Sequence, residues 1–333
     1  MVVPSAPRFR AMLRGILFKV AATMCFTLMA ALVKMASRSF GMGEMVFFRS
    51  FFALGVIVIW LGAVGQLRQG LVTQRPWGHL ARGLIGSCGM ITTFMALSLL
   101  PLADATAISY ATPLITVVLA AVFLGETVKM YRWSAVVVGF IGVLIMLQEH
   151  LGEGIGVGPQ LFGMARGTLG AIIALVSAFC AALAMTQTRR LTKTESTGSI
   201  VFYFQSLTSA IGLGVALLAG VWPSSAPGAA MMAHEVWIWP SFTAFLVLAG
   251  SGVFGGLGQI FMTESFRHAD ASIIAPFDYL TMIWAVFISY TVFGDVPSFW
   301  ILAGAALVMG SGLFVILREQ FLGREPSHVR EGL

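Results

Sequence analysis

"ADATAISYATP" begins at Ala103 and "ADASIIAPFDY" begins at Ala269, about half of the 333-residue chain apart. Each phrase runs Ala-Asp-Ala, a small hydroxyl residue (Thr106 or Ser272), Ile, and then a Tyr and a Pro in either order. Each also opens a run of about 20 mostly apolar residues, enough to cross a hydrocarbon core. One phrase written twice, at the head of two such runs, predicts a membrane protein made of two related halves.

Composition agrees. Hydrophobic residues make up 58% of the chain and charged residues 10%, against about 25% charged in a soluble domain. So few charges cannot cover a water-facing surface, and the chain reads as a polytopic helical membrane protein. The formal net charge of +6 does not indicate nucleic acid, because the basic residues are scattered between apolar runs and line no amphipathic face. Cys25, Cys88 and Cys180 all stand inside apolar runs, with neither metal-site nor disulfide-framework spacing. Arg8, Arg10 and Arg14 followed by an apolar stretch resemble a signal peptide. That stretch is longer than a signal core and no clear cleavage site follows, so it reads as a retained first helix.

Ten spans are expected, at 15–35, 44–64, 80–99, 104–124, 130–148, 167–187, 199–220, 241–265, 271–292 and 298–317. With the N-terminus placed in the cytoplasm, fourteen of the twenty Lys and Arg residues fall inside. Arg38 and Arg166 fall outside, and Lys19, Lys34, Arg49 and Arg82 lie within spans. This is the bias that sets membrane orientation, and a missed or invented span would scramble it. The chain contains no Asn, hence no glycosylation sequon. The expectation is a multi-pass protein of a bacterial inner membrane, with both termini cytoplasmic.

The repeat extends beyond its opening phrase. Gly125-Glu126 after the fourth span answers Gly294-Asp295 after the ninth, and Trp133 answers Trp300. Gly83, Gly86 and Gly89 in the third span recur as Gly252, Gly255 and Gly258 in the eighth. The division is an N-terminal segment (1–14), a first repeat (15–148), an outer linker (149–166), a second repeat (167–317) and a tail (318–333). Five spans per repeat is odd, so the second copy inserts upside down. The fold class is therefore all-α integral membrane, ten helices in two inverted five-helix repeats. Inverted repeats characterise secondary transporters, where exchanging the conformations of the two copies opens the opposite face.

Other motifs are weak. "GSGVFG" (Gly250–Gly255) matches a dinucleotide fingerprint, but that signature needs a strand before it. Inside an apolar span, small residues instead let helices approach closely. Walker A, HExxH, CxxC and GxSxG motifs are absent, so no cofactor or metal is expected.

Charges within spans are costly and therefore informative. Arg49 lies about 7.5 Å deeper than Glu44 at 1.5 Å per residue. It reads as a cavity-facing holder of a carboxylate or phosphate-like group, or as an ion pair with Glu44. Lys34, Arg82 and Lys19 stand near span ends, where snorkelling competes with function. For Lys19 snorkelling is the preferred reading. Glu264 has Arg267 and His268 one turn on, which suggests an interfacial ion pair or a gate. Asp278 lies about 12 Å beyond Asp270 along a helix, near mid-depth, after Pro276 and between Phe277 and Tyr279. It is read as a proton or cation site, against a buried acid hydrogen-bonded to a Tyr or Thr. Its counterpart in the fourth span has Tyr110 and Pro113 but no acid. Asp104 and Asp270 read as N-caps, and Glu126 and Asp295 as turn and cap residues.

With these residues on the page, the chain resembles the drug/metabolite transporter superfamily, of the ten-span EamA type. The resemblance rests on "ALVKMASRSFGMGEMVFFRSFFAL", "FMALSLLPLADATAISYATPLITVVLAAVFLGETV", "GFIGVLIML", "ADASIIAPFDYLTMIWAV" and "FGDVPSFWILAGAALVMGSGL". Lys34 and Arg49 match the family's Lys ending the first helix and Arg in the second. Pro113, Gly125 and Glu126 match its fourth-helix signals, while Gly294-Asp295 departs from a GE pattern. "PFDY" resembles a bacterial branch that includes riboflavin and S-adenosylmethionine carriers.

The resemblance implies secondary transport of a small organic metabolite by alternating access, aromatic or heterocyclic in body, with no enzymatic activity. Arg49, Tyr110, Pro113, Phe277, Asp278 and Tyr279 are the candidate substrate-binding residues. Lys34, Glu44, Arg82, Glu264 and Asp278 are candidates for coupling or gating, with protons as the candidate coupling ion. The protein would be a monomer or homodimer in the bilayer. An amino-acid or drug exporter of the same fold is the alternative, and a channel or a lipid-modifying enzyme are the alternatives of another class.

Overall fold

The computed structural model describes residues 6–124, 130–151, 160–161, 164–191, 194–219, 237, 239–269 and 274–321. Its helices are α1 (Ala6–Ala36), α2 (Met42–Ala63), a short α3 (Leu67–Gly70), α4 (Pro76–Leu99), α5 (Leu102–Ser109) and α6 (Ala111–Leu124). They continue as α7 (Met130–Leu151), α8 (Arg166–Leu191), α9 (Thr197–Ala219), α10 (Phe242–His268), α11 (Leu280–Ile288) and α12 (Phe299–Phe321). Two-residue strands β1 (Gln160–Leu161) and β2 (Met164–Ala165) pair antiparallel before α8.

Among the described residues, α1, α2, α4, α8, α9 and α10 each hold a single apolar stretch long enough to cross a membrane. The fifth and tenth spans, α7 and α12, carry shorter apolar stretches. The fourth and ninth spans are broken rather than straight. Pro113 has no N–H, and its ring crowds the carbonyl four residues back, which belongs to Ser109, where α5 ends. Tyr110 closes that end with a tighter bond to the Ala107 carbonyl at 3.1 Å. In the ninth span a 3₁₀ turn (Ala275–Tyr279), with Pro276 in its first positions, leads into α11. A π turn (Ser289–Phe293) then ends at Gly294, whose φ of 73° closes the element.

Asp104 is not an N-cap. Pro101 takes the cap position of α5, so the helix starts earlier than the apolar run suggests, and Asp104 sits buried in its first turn. A carboxylate there still faces the positive end of the helix dipole. Asp295 lies in the turn after Gly294, but the first turn of α12 is held by Ser298, whose hydroxyl accepts from the Ile301 N–H at 3.2 Å. Asp270, Gly125 and Glu126 lie outside the described residues.

The packing carries the repeat. α1 lies against α10 and α4 against α8, which means span one on eight and span three on six. Spans two and ten pack on seven and five, through α2 on α9 and α12 on α7. Exchanging the two halves maps each of these contacts onto another, or onto itself. The glycines obey the same exchange. A Cβ on Gly83 or Gly86 would strike Leu207 or Phe204 of the seventh span, and one on Gly89 would meet Cys180 of the sixth. Gly252 and Gly255 face Phe52 and Arg49 of the second span, and Gly258 faces Phe26 of the first. "GSGVFG" is thus a helix-packing surface within α10.

Candidate functional site

Among the described residues, three groups of polar side chains bear on function. The central one is Arg49 on α2, only 3% exposed. Its Nη1 donates to Gln205 Oε1 on α9 at 2.9 Å and approaches Met90 Sδ at 3.6 Å, while Nη2 lies 3.6 Å from Met29 Sδ. Arg49 is held by Gln205 and two thioethers, not by an ion pair with Glu44. Among the described residues, Arg49 Nε and Gln205 Nε2 have no hydrogen-bond partner. A buried guanidinium without a carboxylate is expensive, and unsatisfied buried donors are rare. Such a group is suited to an anionic oxygen arriving from outside the protein. Beside it, Ser87 and Thr208 hydrogen-bond to one another at 2.8 Å.

The second group forms where the two broken spans meet. Asp278 lies in the 3₁₀ turn, and its carboxylate pairs with Lys19 Nζ on α1 at 2.6 Å. The two partners differ sharply in access. The Lys19 side chain is 1% exposed and that of Asp278 is 47% exposed. Lys19 Nζ also lies 3.2 Å from Met262 Sδ on α10. The Tyr110 hydroxyl, at the break in the fourth span, donates to the Asp278 backbone carbonyl at 3.3 Å. Its ring leans on that of Tyr279, with centroids 5.8 Å apart. Tyr110, Asp278 and Tyr279 are thus brought together. Phe277 is half-buried on the same turn, and Pro113 is exposed, its contribution being the helix break.

The third group ties loops together at the end of the bundle near Arg75 and Arg190. Glu195 accepts from the Thr73 hydroxyl at 3.1 Å and from the Gln74 N–H at 2.9 Å. His79 Nε2 lies 3.5 Å from its other oxygen. The His79 ring packs against Tyr203, and the Tyr203 hydroxyl donates to the Leu71 carbonyl at 3.0 Å. Burial pushes the Glu195 carboxyl up, but the hydrogen bonds from Gln74 and Thr73, with the His79 ring beside it, outweigh that and hold the group below the usual carboxylate range. A groove of about 440 Å³ lies nearby, between the start of α4 and the end of α8. It is about 20 Å along α4 from Met90, at 1.5 Å per residue, and belongs to neither interior group.

The EamA-like transporter family model matches this chain twice, over residues 13–148 and 168–317. The chain belongs to the EamA-like transporter family. An S-adenosylmethionine uptake transporter of Rickettsia prowazekii is 28% identical over 83% of this chain and 83% of its own length. The pseudopaline exporter CntI of Pseudomonas aeruginosa is 29% identical over 89% and 93%. A riboflavin transporter of Vibrio cholerae is 27% identical over 95% and 97%. A crystal structure sharing 20% identity covers 93% of this chain and 99% of its own, with a TM-score of 0.61, which shows the shared fold.

In this EamA-like protein the remaining candidates sit away from the centre. Lys34 turns inward: Nζ donates to the Leu100 carbonyl at 2.6 Å and lies 5.4 Å from the Phe293 ring centroid. It ties the first span to the end of the third and the end of the ninth. Arg82 donates to Thr188 at 2.6 Å and stacks over Phe204 at 4.3 Å. Glu264 Oε2 is 3.8 Å from His268 Nδ1, a pair one turn apart, and Glu44 is fully buried in the first turn of α2. Among the described residues no cluster of His, Cys, Asp or Glu could hold a metal ion.

Two residues escaped the sequence reading. Lys19 does not snorkel; it is sealed inside against Asp278. Gln205 carries no charge, so a scan for charges within spans passes over it. A repeat signal does mark it: "FFRS" (Phe47–Ser50) in the second span is answered by "YFQS" (Tyr203–Ser206) in the seventh.

Proposed function

We propose that the protein is a secondary carrier that moves a small organic metabolite across a bacterial inner membrane by alternating access. The observation that carries this reading is Arg49. It is a buried cation with an unsatisfied Nε, beside an unsatisfied Gln205 Nε2, where the second and seventh spans meet. An anionic substrate group there would satisfy both donors. Tyr110, Tyr279 and Phe277 would take an apolar or aromatic body, and Asp278 a cationic group or a proton. The named substrates of the relatives, S-adenosylmethionine, pseudopaline and riboflavin, support a small organic cargo. Both termini are placed in the cytoplasm, and neither enzymatic activity nor channel conduction belongs to this reading. Lys34, Arg82, Glu44 and Glu264 are assigned to gating at the two ends.

The test is counterflow in proteoliposomes holding the purified full chain, with S-adenosylmethionine, riboflavin and a panel of amino acids as labelled probes. A carrier exchanges external label for unlabelled compound inside, saturably. Non-saturating flux would indicate a channel, and no exchange with any probe would overturn the reading.

A further inference from the structure

Lys19 and Asp278 form an ion pair of unequal access, and that inequality has a chemical meaning. The ammonium is 1% exposed while the carboxylate is 47% exposed. Lys19 engages Oδ1 at 2.6 Å, and among the described residues no hydrogen bond is made to Oδ2. Asp278 therefore presents an accessible acceptor, held from behind by a lysine that an incoming molecule cannot reach. Arg49 Nε and Gln205 Nε2 present the opposite chemistry, donors that find no acceptor among the described residues.

The spacing of the two places follows from α10. Gly255 lies beneath the Arg49 guanidinium, and Met262 lies against Lys19 Nζ. Seven residues of helix separate them, about 10 Å. Between the broken spans, the tilted Tyr110–Tyr279 pair adjoins the acidic place.

We infer that the carrier selects bipolar substrates, with the anionic group taken by Arg49 and Gln205 and a cationic group taken by the open oxygen of Asp278. This rests on the transport reading above and names its substrate class. Lys19 is the positioning residue. It holds the carboxylate in place through Oδ1 while remaining outside the path, so the substrate's cation adds to the pair rather than displacing it.

The experiment incubates proteoliposomes of the full chain in an extract of soluble bacterial metabolites and identifies by mass spectrometry what enters them relative to protein-free vesicles. The expected compounds carry both a positive and a negative group. Asp278→Asn lowers their accumulation tenfold or more. The charge-swapped double variant, Lys19→Asp with Asp278→Lys, restores the ion pair and the thermal stability but not the accumulation, because the acid now occupies the sealed position. Three results overturn the inference: accumulated compounds lacking a cationic group, an Asp278→Asn profile equal to wild type, or recovery of the wild-type profile by the swap. The last would make the pair purely structural. If nothing accumulates in any vesicle, the transport reading itself fails, and this inference with it.

Discussion

Arg49 and Gln205 occupy matching positions in the two halves and hydrogen-bond to each other at 2.9 Å across the middle of the molecule. The sequence duplicates the frame around them but not the charge: "FFRS" on one side, "YFQS" on the other. A charged hydrogen bond is worth about 1.5–3 kcal/mol, and each 1.4 kcal/mol is a factor of ten. Arg49→Gln should therefore lower uptake of an anionic substrate by about tenfold or more. It also removes a buried charge, so the melting temperature should hold or rise. A large fall in stability without a selective loss of uptake would contradict the role given to Arg49.

Gly312 on α12 lies directly under the Tyr279 hydroxyl, where a Cβ has no room. Overpacking of this kind costs about 1–3 kcal/mol. Gly312→Ala should destabilise the protein by that amount and disturb the Tyr110–Tyr279 pair. Adding Tyr279→Phe removes the colliding oxygen, so the double variant should recover much of the loss. Thermal unfolding in detergent measures both.

Cys88 on α4 and Cys180 on α8 are free thiols with sulfurs 3.8 Å apart. They lie in the interface of the third and sixth spans, beside Gly89. Oxidation with copper phenanthroline should join them, losing two hydrogens by intact mass. If the halves must part along this seam, uptake should stop and return on reduction. Unchanged uptake in fully cross-linked protein would mean that the seam stays closed throughout transport.

The loop latch at Glu195 predicts a pH effect of defined sign. Its carboxyl is held below the usual range in the folded protein, while an unfolded glutamate titrates near about 4.3. A depressed carboxyl contributes stability above its unfolded value and loses it as pH falls through the folded value. The protein should thus lose stability on acidification below about pH 4.3. Glu195→Gln should flatten that part of the profile and lower stability at neutral pH. A variant profile parallel to wild type would remove Glu195 from the latch.

Much of the architecture is written in local signals. Apolar runs mark the spans, and the repeated Ala-Asp-Ala phrases mark the halves. Gly83, Gly86, Gly89 and their counterparts mark the close seams. Pro113 and Pro276 mark the broken helices, though the apolar pattern around them reads as continuous because hydrophobicity does not record a missing N–H. The inward turn of Lys19 is not legible locally, because its partner is 259 positions away and no local pattern records such a pairing. The start of α5 was misplaced because Pro101 sets it, not the aspartate that resembles a cap. Tyr110, Asp278 and Tyr279 could be named one by one from the sequence, but only folding puts them within reach of one another.

The Lys19–Asp278 pair joins the first span to the ninth, and the exchange of halves would map it onto the sixth and fourth. No charged residue occurs between Gly167 and Thr188 or between Ala105 and Leu124, so the mirrored arrangement has no equivalent bond. The symmetry of the halves therefore does not require the two conformations to be equal in energy. A carrier of this design would favour one orientation when empty and bind its substrate with unequal affinity from the two sides, while the gradients alone set the direction of net transport.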